Sequence, residues 1–420
     1  MPSVPFKLNQ DRRHHIAKQK HKVTNWREYD AGLRQRGSLT VWFTDEAVQA
    51  WTAEPRTTRG GQPDYSPLGR CCTDPAGGAA GRAGVAGRHL TCPRMPSVPF
   101  KLNQDRRRHI PRQKRKVTNW REYDAGLRQR GSLTVWFTDE AVQAWKAEPR
   151  TTRGGQPDYS PLAILTALTL RAVFRLPFRQ TEGLISSVIG LLGLDLAAPD
   201  HTTLCRRAET LEVPRPRPRS NGEPVHLLVD STGLKLCGAG EWLIEKHGTR
   251  TRRSWKKLHI GMDADTGRIV AAVLPDKDAD DGALVGPLLD QADGPIASFT
   301  GDGGYDQESV YSGVAERHPE ASVIVPPRPT AVPRDTAETA PTQRDRHLRL
   351  IADKGRMGWQ KASGYNRRAR IEATMGRFKG VIGDGLRSRT DQRRATEVEV
   401  AVHVLNRMLE LGCPESVRIA

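Results

Sequence analysis

Three carboxylates in this chain occupy positions from which acids can share one task. Asp230 follows the apolar run 225–229, and Asp302 sits in Gly301-Asp302-Gly303-Gly304-Tyr305-Asp306 just past a second such run. Glu372 lies in a helical stretch, 365–379. Phosphodiester cleavage must stabilise an attacking and a leaving oxygen in line. Two divalent ions about 4 Å apart do this, and hard cations prefer carboxylate oxygen and water. Three acids converging from two strands and a helix can hold such a pair. The expected catalytic residues and metal ligands are therefore Asp230, Asp302 and Glu372, with two Mg2+ ions as cofactor and Mn2+ as a substitute. An isolated Asp at a strand end is ordinarily a turn former or a helix cap. Two at equivalent strand ends of a fitting topology shift that balance, because open α/β sheets bind ligands beyond the carboxyl ends of their strands. The glycines beside Asp302 permit a tight turn and leave room for a metal or a phosphate.

The surroundings of Glu372 point the same way. On an ideal helix Tyr365, Arg368, Glu372 and Lys379 fall within about 60° of one another. Ile371, Met375, Phe378 and Ile382 form an adjoining apolar stripe that can dock on a sheet. A solvated helix with i,i+4 ion pairs would account for Arg368 and Glu372. It gives no reason for Tyr365 and Lys379 to share their face. Lys379, a compact point charge two turns along, suits a phosphate backbone near the cut.

These residues need a sheet to carry them. Residues 225–229 read as a buried strand ending at Asp230. Residues 255–262 alternate, 263–267 are turn chemistry, and 268–274 return, which makes an antiparallel meander of three strands. A helix over 281–292, a strand over 296–300, a helix over 307–317 and a strand over 322–325 follow. This is the order of a ribonuclease H-like α/β domain, a mixed sheet with flanking helices. Residues 329–348, rich in Pro, Thr and Arg, read as a mobile connection. Asp263, Asp265 and Asp306 read as turn residues, with Asp306 alternatively capping the helix from 307.

Before that domain the chain is helical. Helices are expected over 120–127, 139–147 (Thr138 as N-cap), 162–176, 180–192 and 200–211 (Asp200 as N-cap). The last three, joined by short loops, fit a helix-turn-helix-like DNA-binding region in which Thr202, Thr203, Arg206 and Arg207 face DNA; a packing bundle fits them equally well. Residues 106–116 carry seven fixed positive charges, among them Arg106, Arg107 and Arg108, and read as a phosphate-binding arm.

The organisation is unusual at its start. Residues 1–68 return as 95–162, and five of the 68 positions differ: His14/Arg108, Ala17/Pro111, Lys18/Arg112, His21/Arg115 and Thr52/Lys146. Such near-identity in two units indicates a recent duplication and not a solenoid. Residues 69–94, rich in Gly, Ala and Arg, read as a frameshifted, disordered linker. The expected divisions are 1–68, the duplicated copy; 69–94; 95–212, the helical DNA-binding domain; 213–224, a basic Pro-rich linker; and 225–412, the catalytic domain.

Lys and Arg number 66 against 48 acids, a net charge of +18, which favours a polyanionic partner such as nucleic acid. Mean hydropathy is −0.60. No run of 18 apolar residues and no signal-peptide core are present, so the expectation is a cytoplasmic protein with no membrane contact. The six cysteines form no C-x-x-C pair and read as reduced, incidental thiols.

From about Lys101 onward the chain resembles the DDE transposases of bacterial insertion sequences, close to the group named for insertion sequence 5. Tyr365, Arg368, Glu372 and Lys379 match the signature around that group's glutamate at every spacing. Asp230 in Asp-Ser-Thr-Gly and Asp302 in Asp-Gly-Gly-Tyr-Asp match its two aspartate motifs. The resemblance implies metal-dependent cleavage at terminal inverted repeats and attack of a 3′-hydroxyl on target DNA, within a nucleoid-associated homodimer or larger synaptic complex. It assigns Tyr365, Arg368 and Lys379 to DNA binding. The duplicated beginning departs from the family pattern and raises a second reading, a catalytically impaired DNA-binding remnant. A plain nuclease of the same fold is a third.

Overall fold

The computed structural model describes residues 26–39, 115–149, 151, 154–215, 222–236, 255–275, 279–414 and 416–418. The chain falls into two units. One, Ser38–Ala125 with Pro414–Ala420, contains an antiparallel pair of β1 (Arg115–Val117) with β8 (Ser416–Arg418). The other, Met1–Gly37 with Gly126–Cys413, holds the remaining sheet and most of the helices.

In the larger unit the helical part begins with α1 (Trp26–Gln35). It continues after α2 (Trp120–Arg130) with α3 (Leu133–Trp136) and α4 (Asp139–Gln143). Three helices then follow in close order: α5 (Pro161–Val173), α6 (Phe178–Leu191) and α7 (His201–Arg207). Their starts are set by local chemistry. Ser160 caps α5 by accepting from the Ala163 N–H, with Pro161 at the first turn, where its missing N–H costs nothing. Asp200 caps α7 by accepting from the Thr202 and Thr203 N–H groups at 2.7 and 2.9 Å. Helix α5 is buried along Ala163–Leu170 on every side, as its apolar composition requires.

The sheet has the order β4-β3-β2-β5-β6, with β7 also on β2. Here β2 is Val225–Leu236, β3 Trp255–Asp263, β4 Ile269–Val273, β5 Ile296–Thr300, β6 Ser322–Ile324 and β7 Gly385–Leu386. Strand β3 runs antiparallel to both β2 and β4, whereas β5 runs parallel to β2 and β6 to β5. Both faces are covered. Val225, Leu227, Val229 and Phe299 pack against α8 (Val285–Leu289) and α9 (Glu308–Arg317). Leu228, Leu234, Leu258, Ile260 and Met262 pack against α11 (Ala369–Val381) and α12 (Asp391–Glu410). The nearly continuous apolar run at the start of β2 is what a strand buried on both faces demands.

Some expectations change. Asp230 does not end β2; it sits midway along a twelve-residue strand. The helix expected over 281–292 is a short 3-10 turn followed by five α-helical residues. Residues 343–348, expected within a mobile connection, open the helix α10 (Gln343–Ala362). A reciprocal capping box of Thr342 and Asp345 fixes its start, and Gly355 (φ 70°) breaks its course. Asp263 behaves as expected of a turn residue, accepting from the Asp265 N–H and the Thr266 hydroxyl. Asp306 does not: it is a buried ion-pair partner, and Gln307 holds the N-cap of α9.

Candidate active site

The pairing of β2 explains how its acid is presented. On one edge β2 is paired with β5 up to the rung Leu228–Thr300, and it next finds a partner at Lys235–Gly385 of β7. Asp230 and Asp302 each lie two residues past that last rung of β5, on parallel chains, so both emerge where the sheet edge opens. Asp230 shares the parity of Leu228 and therefore faces α11. A 3-10 turn, Tyr365–Arg368, leads into α11 and brings Arg368 and Glu372 to the same place.

The three acids meet on one guanidinium. Arg368 Nη2 lies 2.8 Å from Asp230 Oδ2 and 4.0 Å from Asp302 Oδ2, and its Nη1 lies 2.8 Å from Glu372 Oε1. Asp230 is the most buried of the three, at 14% side-chain exposure against 43% for Asp302 and 61% for Glu372. Burial pushes the Asp230 carboxyl above the usual carboxylate range, helped by the Asp302 charge and opposed by the Ser231 N–H and Arg368. Arg368 has its basicity raised by Asp230, Tyr365, Asp302 and Glu372, against a burial effect that alone would lower it. The Tyr365 ring packs on Trp359 with centroids 5.2 Å apart, and burial raises its phenol.

Two glycines around Asp302, Gly301 and Gly304, are needed for space, whereas Gly303 has room for a side-chain carbon. A Cβ on Gly301 would press on the Tyr305 ring at 2.8 Å. One on Gly304 would come within 2.9 Å of Asp302 Oδ1 and 3.3 Å of Asp281 Oδ2. Asp302 itself accepts from the Gly304 N–H at 2.9 Å, which fixes the turn.

Asp281 is the group that sequence reasoning passed over. It reaches the Asp302 loop from the other face of the sheet, where Lys257 holds it in an ion pair. His259 Nε2 lies 3.6 Å from it, and His259 Nδ1 shares a hydrogen bond of 3.0 Å with the Tyr305 hydroxyl. Burial drops His259 to about 4, with Asp281 acting against that and Lys257 adding to it. The signal available was the acidic run Asp278-Ala279-Asp280-Asp281 after the β4 strand, together with Lys257 and His259 at alternate positions of β3. Below the loop, Asp306 accepts from Arg344 Nε at 2.8 Å and Nη2 at 3.2 Å, and from the Arg328 N–H at 2.9 Å.

Other candidates fare differently. Lys379 is exposed in the last turn of α11 and makes no ion pair among the described residues. Arg206 is exposed on a groove that Lys146, Tyr159 and Thr203 also line. Arg207, in the same wall, is half-buried and donates to the Tyr159 carbonyl at 3.1 Å. Arg106, Arg107 and Arg108 lie outside the described residues.

The donor set suits hard divalent cations, since it is all carboxylate oxygen and three acids face one guanidinium. Among the described residues, no group of three or more His, Cys, Asp or Glu side chains stands close enough to hold a metal ion as placed. The acids converge on Arg368 and not directly on one another.

Two family models, both described as transposase DDE domain, match this chain, one over residues 128–239 and the other over 221–409. The second spans Asp230, Asp302 and Glu372. Over residues 221–409 the chain is similar to a transposase DDE domain. A solved structure described as a piggyBac transposase synaptic complex with hairpin DNA is similar at 12% identity and a TM-score of 0.35, covering 70% of this chain and 77% of that chain. The second matched span begins before β2 and ends at the last residues of α12, so the strands β2–β7, the Asp302 loop and the Arg368–Glu372 turn all lie within it.

Proposed function

We propose that this chain is the transposase of a bacterial insertion sequence of the group named for insertion sequence 5. In this reading it cuts at the element's terminal inverted repeats and joins the 3′ ends to target DNA. The catalytic domain is read as ribonuclease H-like, with the helical region α5–α7 as its DNA-binding partner. The observation that carries the proposal is the meeting of Asp230, Asp302 and Glu372 on one guanidinium at the opened edge of β2, inside the span matched as a DDE domain.

Asp230, Asp302 and Glu372 would hold two Mg2+ ions, which supply Lewis-acid stabilisation of the attacking and leaving oxygens. Asp230, anchored by the Ser231 N–H on a central strand, is the rigid member. Glu372, on a helix turn and largely exposed, is the adjustable one. Arg368, on a long flexible stem, offsets part of the acids' charge in the free protein and would be free to turn toward a phosphate with cations bound. Lys257, Asp281, His259 and Tyr305 hold the Asp302 loop from behind. The excess of 18 positive charges supports DNA as the partner.

The test is nicking of the element's own ends with Mg2+ or Mn2+. Losing a ligand's supporting partner typically costs 10- to 100-fold, so removing a ligand itself is expected to cost more than about a hundredfold. Asp230→Ala, Asp302→Ala and Glu372→Ala should each show this loss while binding to the terminal repeats persists. Unchanged nicking in all three overturns the proposal.

A further inference from the structure

Helix α1 belongs to the first copy of the repeated segment, and it has a seat. It packs along α6, where Arg34 Nε lies 3.1 Å from Glu182 Oε1 and Asp30 pairs with Arg179. The Arg179 guanidinium lies over the Trp26 ring, 5.4 Å from its centroid. Two glycines allow the approach: a Cβ on Gly183 would collide with the Arg34 carbonyl, and one on Gly37 with that of Gln180. The seat is therefore specific in charge and in backbone spacing.

The second copy carries the same helix. Trp26–Gln35 and the first ten residues of Trp120–Arg130 are identical, Trp-Arg-Glu-Tyr-Asp-Ala-Gly-Leu-Arg-Gln, and the Arg-Gly-Ser-Leu that follows is identical too. Yet the two helices bury different sides. In α1, Gly37 is buried and Leu33 half-buried. In α2 the equivalent Gly131 is exposed, and Leu127 is 38% exposed. The side of α2 that is buried is that of Gly126, where a Cβ would collide with the Leu411 carbonyl. Helix α2 is also tied down in its own chain: Arg130 Nη2 donates to the Gly412 carbonyl at 2.6 Å, and the indole of buried Trp136 donates to the Arg130 carbonyl.

We propose that the Arg179, Glu182 and Gly183 face of α6 is a docking site for the α2 helix of a second molecule of this chain, which the first copy occupies in cis. Helix α2 stays on its own chain's Leu411–Gly412 and offers its open Leu127 and Gly131 side to the α6 of its neighbour. Two chains can do this reciprocally, which gives a closed pair. The duplicated segment is then a built-in competitor for the subunit contact. This inference stands on the repeat and the α1 seat and is independent of the catalytic reading.

Light scattering of the full chain at tens of micromolar tests it. The wild-type chain is expected at the mass of one molecule. Asp30→Arg combined with Arg34→Glu expels α1 by charge, and the mass should double. Adding Glu182→Arg in the seat, or Leu127→Asp on the open side of α2, should return it to one. Gly37→Leu is a second route to the same release, through collision with Gln180, and should also double the mass. The proposal is overturned by a released chain that stays at single mass, by a doubled mass that survives Glu182→Arg and Leu127→Asp, or by a wild-type chain already paired.

Discussion

Asp302 and Asp306 sit four residues apart on one loop and are treated in opposite ways. The Asp306 side chain is fully buried, gripped by both nitrogens of an Arg344 fork and by the Arg328 N–H. Burial would raise its carboxyl, but Arg344 and the Arg328 N–H hold it below its usual value. Asp302 is 43% exposed, with one short bond to a backbone N–H and a 4.0 Å approach to a guanidinium that two other acids share. One end of the loop is satisfied and built for stability. The other end keeps under-compensated negative charge, which is what a site intended for cations requires.

The sharpest way to break this contrast is a pair of variants. Arg344→Ala leaves a buried carboxylate without its partner and is expected to cost about 3–5 kcal/mol of stability. Asp302→Asn keeps an oxygen for the Gly304 N–H on a half-exposed side chain and should change stability by less than about 0.5 kcal/mol, while abolishing nicking. Urea unfolding of both proteins, with nicking assayed alongside, decides it. Equal destabilisation would mean that the two aspartates do the same work.

A second measurement concerns the wall behind Asp302. His259 has zero side-chain exposure and is held neutral, its folded value near 4 against about 6.5 in the unfolded chain. Between those values the unfolded state binds a proton that the folded state refuses, so stability falls as pH drops from about 6.5 toward 4. At about 1.4 kcal/mol per pKa unit, the loss from this one residue amounts to about 3 kcal/mol. His259→Gln should flatten the pH profile across that window. A profile as steep as the parent's would place the titrating group elsewhere.

Much of this was readable from the chain, for reasons that differ by element. The alternation in 255–262 and the turn at 263–267 placed the meander, and the motifs around Asp230, Asp302 and Glu372 singled out three acids that lie about one guanidinium. What failed depended on register. That Asp230 lies midway along β2 follows from β3, which stays paired with β2 as far as Lys235–Trp255, a cross-strand register that no local pattern encodes. Lys257, His259 and Asp281 come together only through cross-strand placement and the fold of the 279–284 segment. Helix α10 is highly polar, with Asp345 and Trp359 its only buried residues, so it has no apolar period to read. Helix α12 was legible in principle, since Val398, Ala401, Val402 and Leu405 keep helical spacing along its buried side.

Helix α10 supplies the smallest test, and it returns to the loop. Its first turn delivers Arg344 to Asp306 and also holds Asp345, whose Oδ1 accepts from the Arg334 N–H and whose Oδ2 accepts from the Thr342 N–H. If the start of α10 is what positions Arg344, then Thr342→Ala, which removes the cap to the Asp345 N–H, should cost about 1 kcal/mol. Combined with Arg344→Ala it should cost less than the sum of the two, because the cap and the arginine support one structure. A double-mutant cycle in urea measures this. Full additivity would show that Arg344 reaches Asp306 whether or not the helix start is fixed, and that the firm end of the loop owes its rigidity to the ion pair alone.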